Sequence, residues 1–379
     1  MRFAGTLTIA ALAVVATSAR AQYPVPGLTA TGRSFTMSDT HWKVFIPDTY
    51  AQRGGNVADV IVHFHGDPQT FWNNAKWANL NSIIVTVNYS GLSSVYETPF
   101  SNASLFQTVL DESLAKVRAE SDIPDSLQWD KVAVSSFSAG YGAVRQILKS
   151  ASYQTKISAL LAADSMYAST APDGTPDDVQ MAGYKTFALA AKNNQKTFLL
   201  SHSQVSTSGY ESTVETANEL LQYLGISAVN YSANGLGTLN YYRQAQTGNF
   251  RLWGAAGATG DDHLEHLRYI GDFLEQLPIA RLIPGDFNLS GAVDAADYVL
   301  WRKKNGGGAL PNDGGITPGV TNAADYTYWR SRYGATFTPA INTGGGLSDS
   351  PMIPEPATCA LAILALFAAL SSTRDARAR

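Results

Sequence analysis

Lys131-Val132-Ala133-Val134-Ser135-Ser136-Phe137-Ser138-Ala139-Gly140-Tyr141-Gly142 is the stretch whose reading decides the fold. An apolar strand over 131–135 runs into a turn of small residues, and a helix over 140–149 is expected to follow. Ser138 lies at the centre of the turn, with Ser136 two residues before it and Gly140 two residues after it. A strained turn that holds a serine at positive φ leaves no room for bulky flanks, so small residues at these two places point to a nucleophilic serine. An ordinary strand-turn-helix rich in small residues would look the same locally, so the surroundings must decide.

Those surroundings alternate between strand and helix. The run 59–62 reads as a buried strand leading into His63-Phe64-His65-Gly66, and a second apolar run covers 82–87. After the turn come 157–163, 197–200 and 250–254, again short and apolar. Amphipathic helices are expected over 104–120, 177–193, 212–224 and 263–277. Strands alternating with helices imply a doubly wound, largely parallel sheet covered on both faces. This order of parts resembles the α/β-hydrolase fold over about 36–277, although Ser136 stands where that family usually has Gly.

The resemblance implies where the rest of a site would lie. The oxyanion would be held by the backbone N–H of Ala139 and by a second N–H near His65-Gly66-Asp67, where Gly66 lets the backbone approach closely. The base should follow the last strand, and of six histidines His263 and His266 lie there; His263, at a loop-to-helix junction, is the expected base. Asp164 follows the strand after the nucleophile strand, so Ser138, Asp164 and His263 match the family's order of nucleophile, acid and base. Many members place the acid one strand later, where Glu211 and Glu215 are the candidates. His202 reads as structural. A rival reading takes His63, His65 and Asp67 as zinc ligands, since alternate strand residues face one side. That opening resembles a metallo-β-lactamase motif, but Pro68 stands where a third His is expected.

A second signal lies near the other end. From Asp286 to Asp297, oxygen-bearing residues fall at the calcium-loop positions: Asp286, Asn288, Ser290, Asp294 and Asp297, with Gly291 at the sharp bend and Ala292 offering its carbonyl. Asp297 stands where an EF-hand has Glu, which makes the loop similar to a dockerin type I repeat. Asp297-Tyr298-Val299-Leu300-Trp301-Arg302 recurs as Asp325-Tyr326-Thr327-Tyr328-Trp329-Arg330, an internal repeat. The second loop has Gly314, Ile316 and Pro318 at its first three ligand positions, with Asp313 as a substitute, so one strong Ca²⁺ site and one weak or absent site are expected. The resemblance implies a small α-helical module over 284–336 and a cohesin-like partner for it; similar repeats also occur in planctomycete-type exported proteins.

The termini point to export. Residues 1–21 read as a secretory signal cleaved before Gln22. The hydrolase-like domain is then expected over 22–280, a Gly-rich linker over 337–352 and a tail over 353–379. In that tail Pro354-Glu355-Pro356 is followed by an apolar helix over 357–370 and by Arg374, Arg377 and Arg379, which resembles a PEP-CTERM sorting segment. The helix is short for a membrane span, which suits a transient anchor cut by an exosortase, leaving the protein at the cell surface or outside the cell.

Composition sets limits. The 379 residues carry a net charge of −4 and no basic run, which argues against a nucleic-acid partner. The single cysteine, Cys359, lies in the tail, so the mature chain has no internal disulfide. Of the aromatics Trp72, Trp77, Tyr89, Tyr96, Tyr167, Tyr241 and Tyr242, some would line a sugar or aryl pocket while the others pack. The expectation is an exported serine hydrolase, a carboxylesterase needing no cofactor for catalysis, with a dockerin-like module that directs it towards polysaccharide esters. The alternative is a surface or matrix protein that uses the same fold as a scaffold without catalysis.

Overall fold

The computed structural model describes residues 28–338 and 346–347; the expected signal segment, most of the expected linker and the expected sorting tail lie outside the described residues. Ten strands form one sheet: β1 (Gly32–Thr36), β2 (Trp42–Pro47), β3 (Val57–Phe64), β4 (Ser82–Val87), β5 (Gln128–Phe137), β6 (Ile157–Ala163), β7 (Thr197–His202), β8 (Val229–Asn234), β9 (Asn240–Thr247) and β10 (Phe250–Ala255). Their order is β1-β2-β4-β3-β5-β6-β7-β10-β9-β8. From β4 to β10 every pairing is parallel, while β1 and β2 on one side and β9 and β8 on the other are antiparallel.

Buried strands explain this arrangement. In β3, Val60, Val62 and Phe64 face one core and Ile61 faces the other; in β6, Leu160 and Ala162 oppose Ala159, Leu161 and Ala163. A strand that alternates between two dry faces can lie only in the middle of a sheet covered on both sides. Each large apolar side chain buried this way contributes about 1.5–3 kcal/mol.

The helices are α1 (Pro68–Trp77), α2 (Ser94–Phe100), α3 (Leu105–Arg118), α4 (Tyr141–Ile147), α5 (Ala151–Lys156), α6 (Asp178–Lys192), α7 (Thr213–Leu224), α8 (Gly260–Arg268), α9 (Gly271–Leu274), α10 (Ala295–Lys304) and α11 (Ala323–Ser331). The face built on Val62 and Phe64 is covered by α2 to α7, through residues such as Phe100, Phe106, Ile147, Tyr153, Met181 and Leu220. Phe71 and Ala75 of α1 and Phe273 and Leu274 of α9 cover the other face. The doubly wound, mostly parallel sheet expected from the sequence is therefore present.

Several boundaries differ from expectation. The helix expected over 140–149 is a 3₁₀ turn, Ser138–Gly140, continued by the shorter α4. The helix expected over 263–277 is two, α8 and α9. It starts three residues early because Thr259 and Asp262 form a capping box. The β8–β9 hairpin and the β1–β2 pair differ from expectation: β1, β8 and β9 are partly exposed and largely polar, so they do not stand out as apolar runs, whereas β2 is a buried apolar strand that the alternation of strand and helix does not call for.

Residues after the sheet form a separate apolar cluster of Ile283, Phe287, Val293, Leu310, Trp329 and Ala335. The sequence repeat appears here as a reciprocal exchange. Trp301 of α10 donates through Nε1 to the carbonyl of Asn322, the N-cap of α11, at 2.7 Å. Trp329 of α11 donates to the carbonyl of Asp294, the N-cap of α10, at 3.0 Å. Each helix thus fastens the start of the other. Among the described residues no helix is long and apolar enough to cross a membrane.

Candidate active site

β5 is extended through Phe137, and the chain then turns at Ser138, whose φ is +46°. That left-handed backbone is disfavoured for a residue with a side chain and persists only where its surroundings enforce it. Packing enforces it here. A Cβ on Gly140 would lie 2.2 Å from the carbonyl oxygen of Phe64, so the turn is pressed against β3 and admits only glycine. Ser136 is fully buried, while Ser138 itself is half-exposed.

β6 ends in a second such residue. Asp164 has φ +43° and is fully buried. Its Oδ2 lies 2.7 Å from Nδ1 of His263 in the first turns of α8. Its Oδ1 accepts from the amide of Ser203 at 3.0 Å and from the Thr213 hydroxyl. Burial alone would raise this carboxyl; the imidazoles of His266 and His263 and the Ser203 amide outweigh it and hold the group well below the usual carboxylate range. The ring of His263 stacks on Phe137, the residue before Ser138, with centroids 4.7 Å apart. The acid and base candidates are therefore hydrogen-bonded to each other, and the base lies over the nucleophile turn.

The other candidates are committed elsewhere. Glu215 is the return arm of the capping box of α7, accepting from the Ser212 amide at 2.6 Å. Glu211 accepts from the Thr170 hydroxyl at 2.5 Å. His266 is fully buried, its Nδ1 2.8 Å from Ser201 Oγ. His202 is buried between the Ser203 carbonyl and Arg243.

The loop after β3 qualifies one expectation. Gly66 has φ +118°, and a Cβ there would meet Leu267 of α8 at 2.6 Å, so the glycine lets the base-bearing helix pack against the loop. Its amide is already engaged, donating to Asn88 Oδ1 at 3.2 Å. An oxyanion would compete with Asn88 for that amide. Ala139, the middle residue of the 3₁₀ turn, carries the amide directly after the serine.

His63, His65 and Asp67 do not converge. His63 stacks on Phe71 and bonds Ser135, His65 bonds the Tyr96 hydroxyl and faces Phe137, and Asp67 caps α1 at Thr70. Burial lowers His63 to about 3 and His65 to about 4, leaving both neutral. Among the described residues no group of three or more His, Cys, Asp or Glu is placed to hold a metal. The zinc reading is therefore set aside.

In the 286–297 loop only two carboxylates come together. Asp286 and Asp297 are fully buried, and Asp286 is raised to about 6, first by burial and in part by the charge of Asp297. Amides of Ser290 and Gly291 bond Asp286, and those of Asn288 and Asp294 bond Asp297. Asp294 instead turns to cap α10 at Ala296. Two buried like charges, with Asn288, Ser290 and the Ala292 carbonyl on the same loop, are a donor set that fits a hard cation. In the second loop Asp313 closes its own turn onto Gly315. Asp325 is held by Thr317 and by the Asn322 amide.

No family model matches the chain, and no curated protein matches it. Some solved structures overlay on it loosely. A variant of the feruloyl esterase module from Clostridium thermocellum, complexed with sinapinate, is 13% identical, with a TM-score of 0.37 over 67% of this chain and 89% of its own. The BES protein from Bacillus cereus is 14% identical, with a TM-score of 0.39 over 64% of this chain and 94% of its own. The LpqC poly(3-hydroxybutyrate) depolymerase from Bordetella parapertussis is 13% identical, with a TM-score of 0.34 over 62% and 87%. Likeness at this level assigns neither a family nor a reaction to the chain.

Proposed function

We propose that the protein is an exported serine carboxylesterase acting on small or polysaccharide-linked esters. The observation that carries this is the Asp164–His263 hydrogen bond of 2.7 Å beside a serine held at φ +46°. Ser138 Oγ attacks the ester carbonyl as His263 takes its proton. Asp164, ionised and held by Ser203 and Thr213, would keep Nδ1 of His263 protonated and so leave Nε2 to act on the serine. The tetrahedral oxyanion falls to the Ala139 amide, with the Gly66 amide exchanging Asn88 for it. Collapse expels the alcohol, which takes the proton from His263. Water, deprotonated by the same histidine, then releases the acid.

In this reading the 284–336 module is a dockerin-like attachment unit. Asp286, Asn288, Ser290, Ala292 and Asp297 would hold Ca²⁺, with Asp294, which caps α10, reaching it through a water; the ion would neutralise the buried pair and hold the loop. A cohesin-like partner and an exosortase acting on the tail belong to the same proposal. Turnover of p-nitrophenyl acetate and of acetylated xylan by the full chain tests the esterase reading. Wild type should hydrolyse at least one, and Ser138→Ala should not. A folded wild type inert on both, with no serine labelled by a fluorophosphonate, would favour the scaffold alternative.

A further inference from the structure

Beside Ser138 three tyrosines from three different strand ends meet. Tyr141 opens α4, three residues after Ser138; Tyr167 follows Asp164 by three residues; Tyr210 lies in the loop between β7 and α7. A backbone bridge between Ala168 and Glu211 draws the last two loops together. The ring centroids of Tyr141 and Tyr167 are 5.2 Å apart with planes at 50°, and those of Tyr167 and Tyr210 are 5.9 Å apart at 62°.

This cluster is more open than the tyrosines of the core. Tyr96, Tyr184 and Tyr241 are at most 1% exposed, whereas Tyr210 is 47% exposed and Tyr141 and Tyr167 are half-buried. The cluster is nevertheless held in place. Arg145, ion-paired to Glu97 at 2.8 Å, lies over the Tyr141 ring, and the Tyr141 hydroxyl donates to Ser93 Oγ at 2.9 Å.

We propose that Tyr141, Tyr167 and Tyr210 form a shelf that binds a pyranose ring in the alcohol part of the ester. This rests on the esterase reading and names its substrate side: a sugar ester rather than an aryl ester. The argument is one of shape and polarity. A pyranose offers a C–H face that lies on an aromatic ring and hydroxyls around its rim, and a tyrosine matches both with its apolar ring and polar tip. The rings touch one another at these distances, so the sugar lies on the outer side of the cluster, on the exposed ring of Tyr210, with its rim hydroxyls towards the phenol tips. The shelf lies at the carboxyl ends of β5, β6 and β7, the same end of the sheet as Ser138, Asp164 and His263.

Unesterified sugars test this without turnover. The full chain would be titrated with xylotetraose, cellotetraose and mannotetraose, and separately with ferulate, by ligand-observed NMR. At least one tetrasaccharide should bind, and Tyr210→Ala should weaken that binding about tenfold or more, as expected for loss of an aromatic contact. Tyr223→Ala, which removes an equally exposed tyrosine on α7, should leave it unchanged. Absence of tetrasaccharide binding, sugar binding indifferent to Tyr210→Ala, or ferulate binding that alone depends on Tyr210 would each overturn the proposal. A chain that binds sugar at Tyr210 but hydrolyses no ester would refute the esterase reading and leave the shelf standing, so the two failures are distinguishable.

Discussion

Ser138 and Asp164 stand at φ +46° and +43°, each directly after a parallel strand. A left-handed backbone at a residue with a Cβ costs about 1–2 kcal/mol, so two of them in one site argue that the strain aims the side chains. Asp164→Asn separates function from folding, because Asn tolerates this backbone well. Its kcat should fall on the order of 10⁴-fold, since an amide cannot hold the imidazole in the right tautomer, while circular dichroism stays unchanged. Glu215→Ala should keep activity and lose only the reciprocal capping bond, about 1 kcal/mol of stability by urea denaturation. Activity lost at Glu215 and kept at Asp164→Asn would move the acid to the later loop. The three chain-order candidates were legible because strand-end loops carry them in sequence order. The Ser203 amide and Thr213 hydroxyl that hold Asp164 were not. They arrive from the end of the neighbouring strand β7 and the start of α7, and neither residue type announces that contact.

Elements fix the site through two close approaches. The nucleophile turn presses on β3 at Gly140, and the base helix presses on the β3 loop at Gly66. Gly140→Val should therefore unfold the chain or displace the turn, whereas Ser136→Ala should be mild, since the Ser136 hydroxyl is buried without a partner. Thermal melting and ester turnover together check both. Thr259→Ala should cost about 1 kcal/mol as a lost N-cap. It should also reduce kcat more than it raises KM, because α8 carries His263 one turn beyond the cap. The parallel core strands are legible as short apolar runs in the sequence, whereas the buried antiparallel β2 is not picked out by that pattern. The start of α8 was misplaced even though Thr259 and Asp262 have capping-box spacing, because the apolar pattern begins only after them. The edge hairpin β8–β9 was missed because its burial is partial and its sequence polar.

At the scale of the whole molecule, four buried imidazoles set the response to acid. Burial lowers His63 and His202 to about 3, and His65 and His266 to about 4. The unfolded chain takes up these protons near pH 6.5 and the folded chain only near 3–4, so stability is full above pH 6.5 and falls as pH drops towards 4. Asp272 and Asp286, each raised to about 6 first by burial, oppose this, and Asp59 and Asp297 are raised in the same direction, but the four histidine shifts are the larger. The urea midpoint should therefore decline from pH 7 to pH 4.5; a flat or rising midpoint would contradict the burial of these histidines. Chelation should act on the other module alone. It should lower a melting transition assigned to residues 284–336 and leave esterase turnover intact, with calorimetry finding one tight Ca²⁺ site in the full chain. The repeat was legible as a repeat, but its reciprocal Trp301 and Trp329 bonds were not, because they join groups only folding brings together. The central claim is that Ser138 is the nucleophile. Its most direct measurement is peptide mass mapping of the folded chain after reaction with a fluorophosphonate. The account expects one adduct, on the peptide containing Ser138, that disappears in His263→Ala. No adduct, or an adduct confined to another serine, would contradict it.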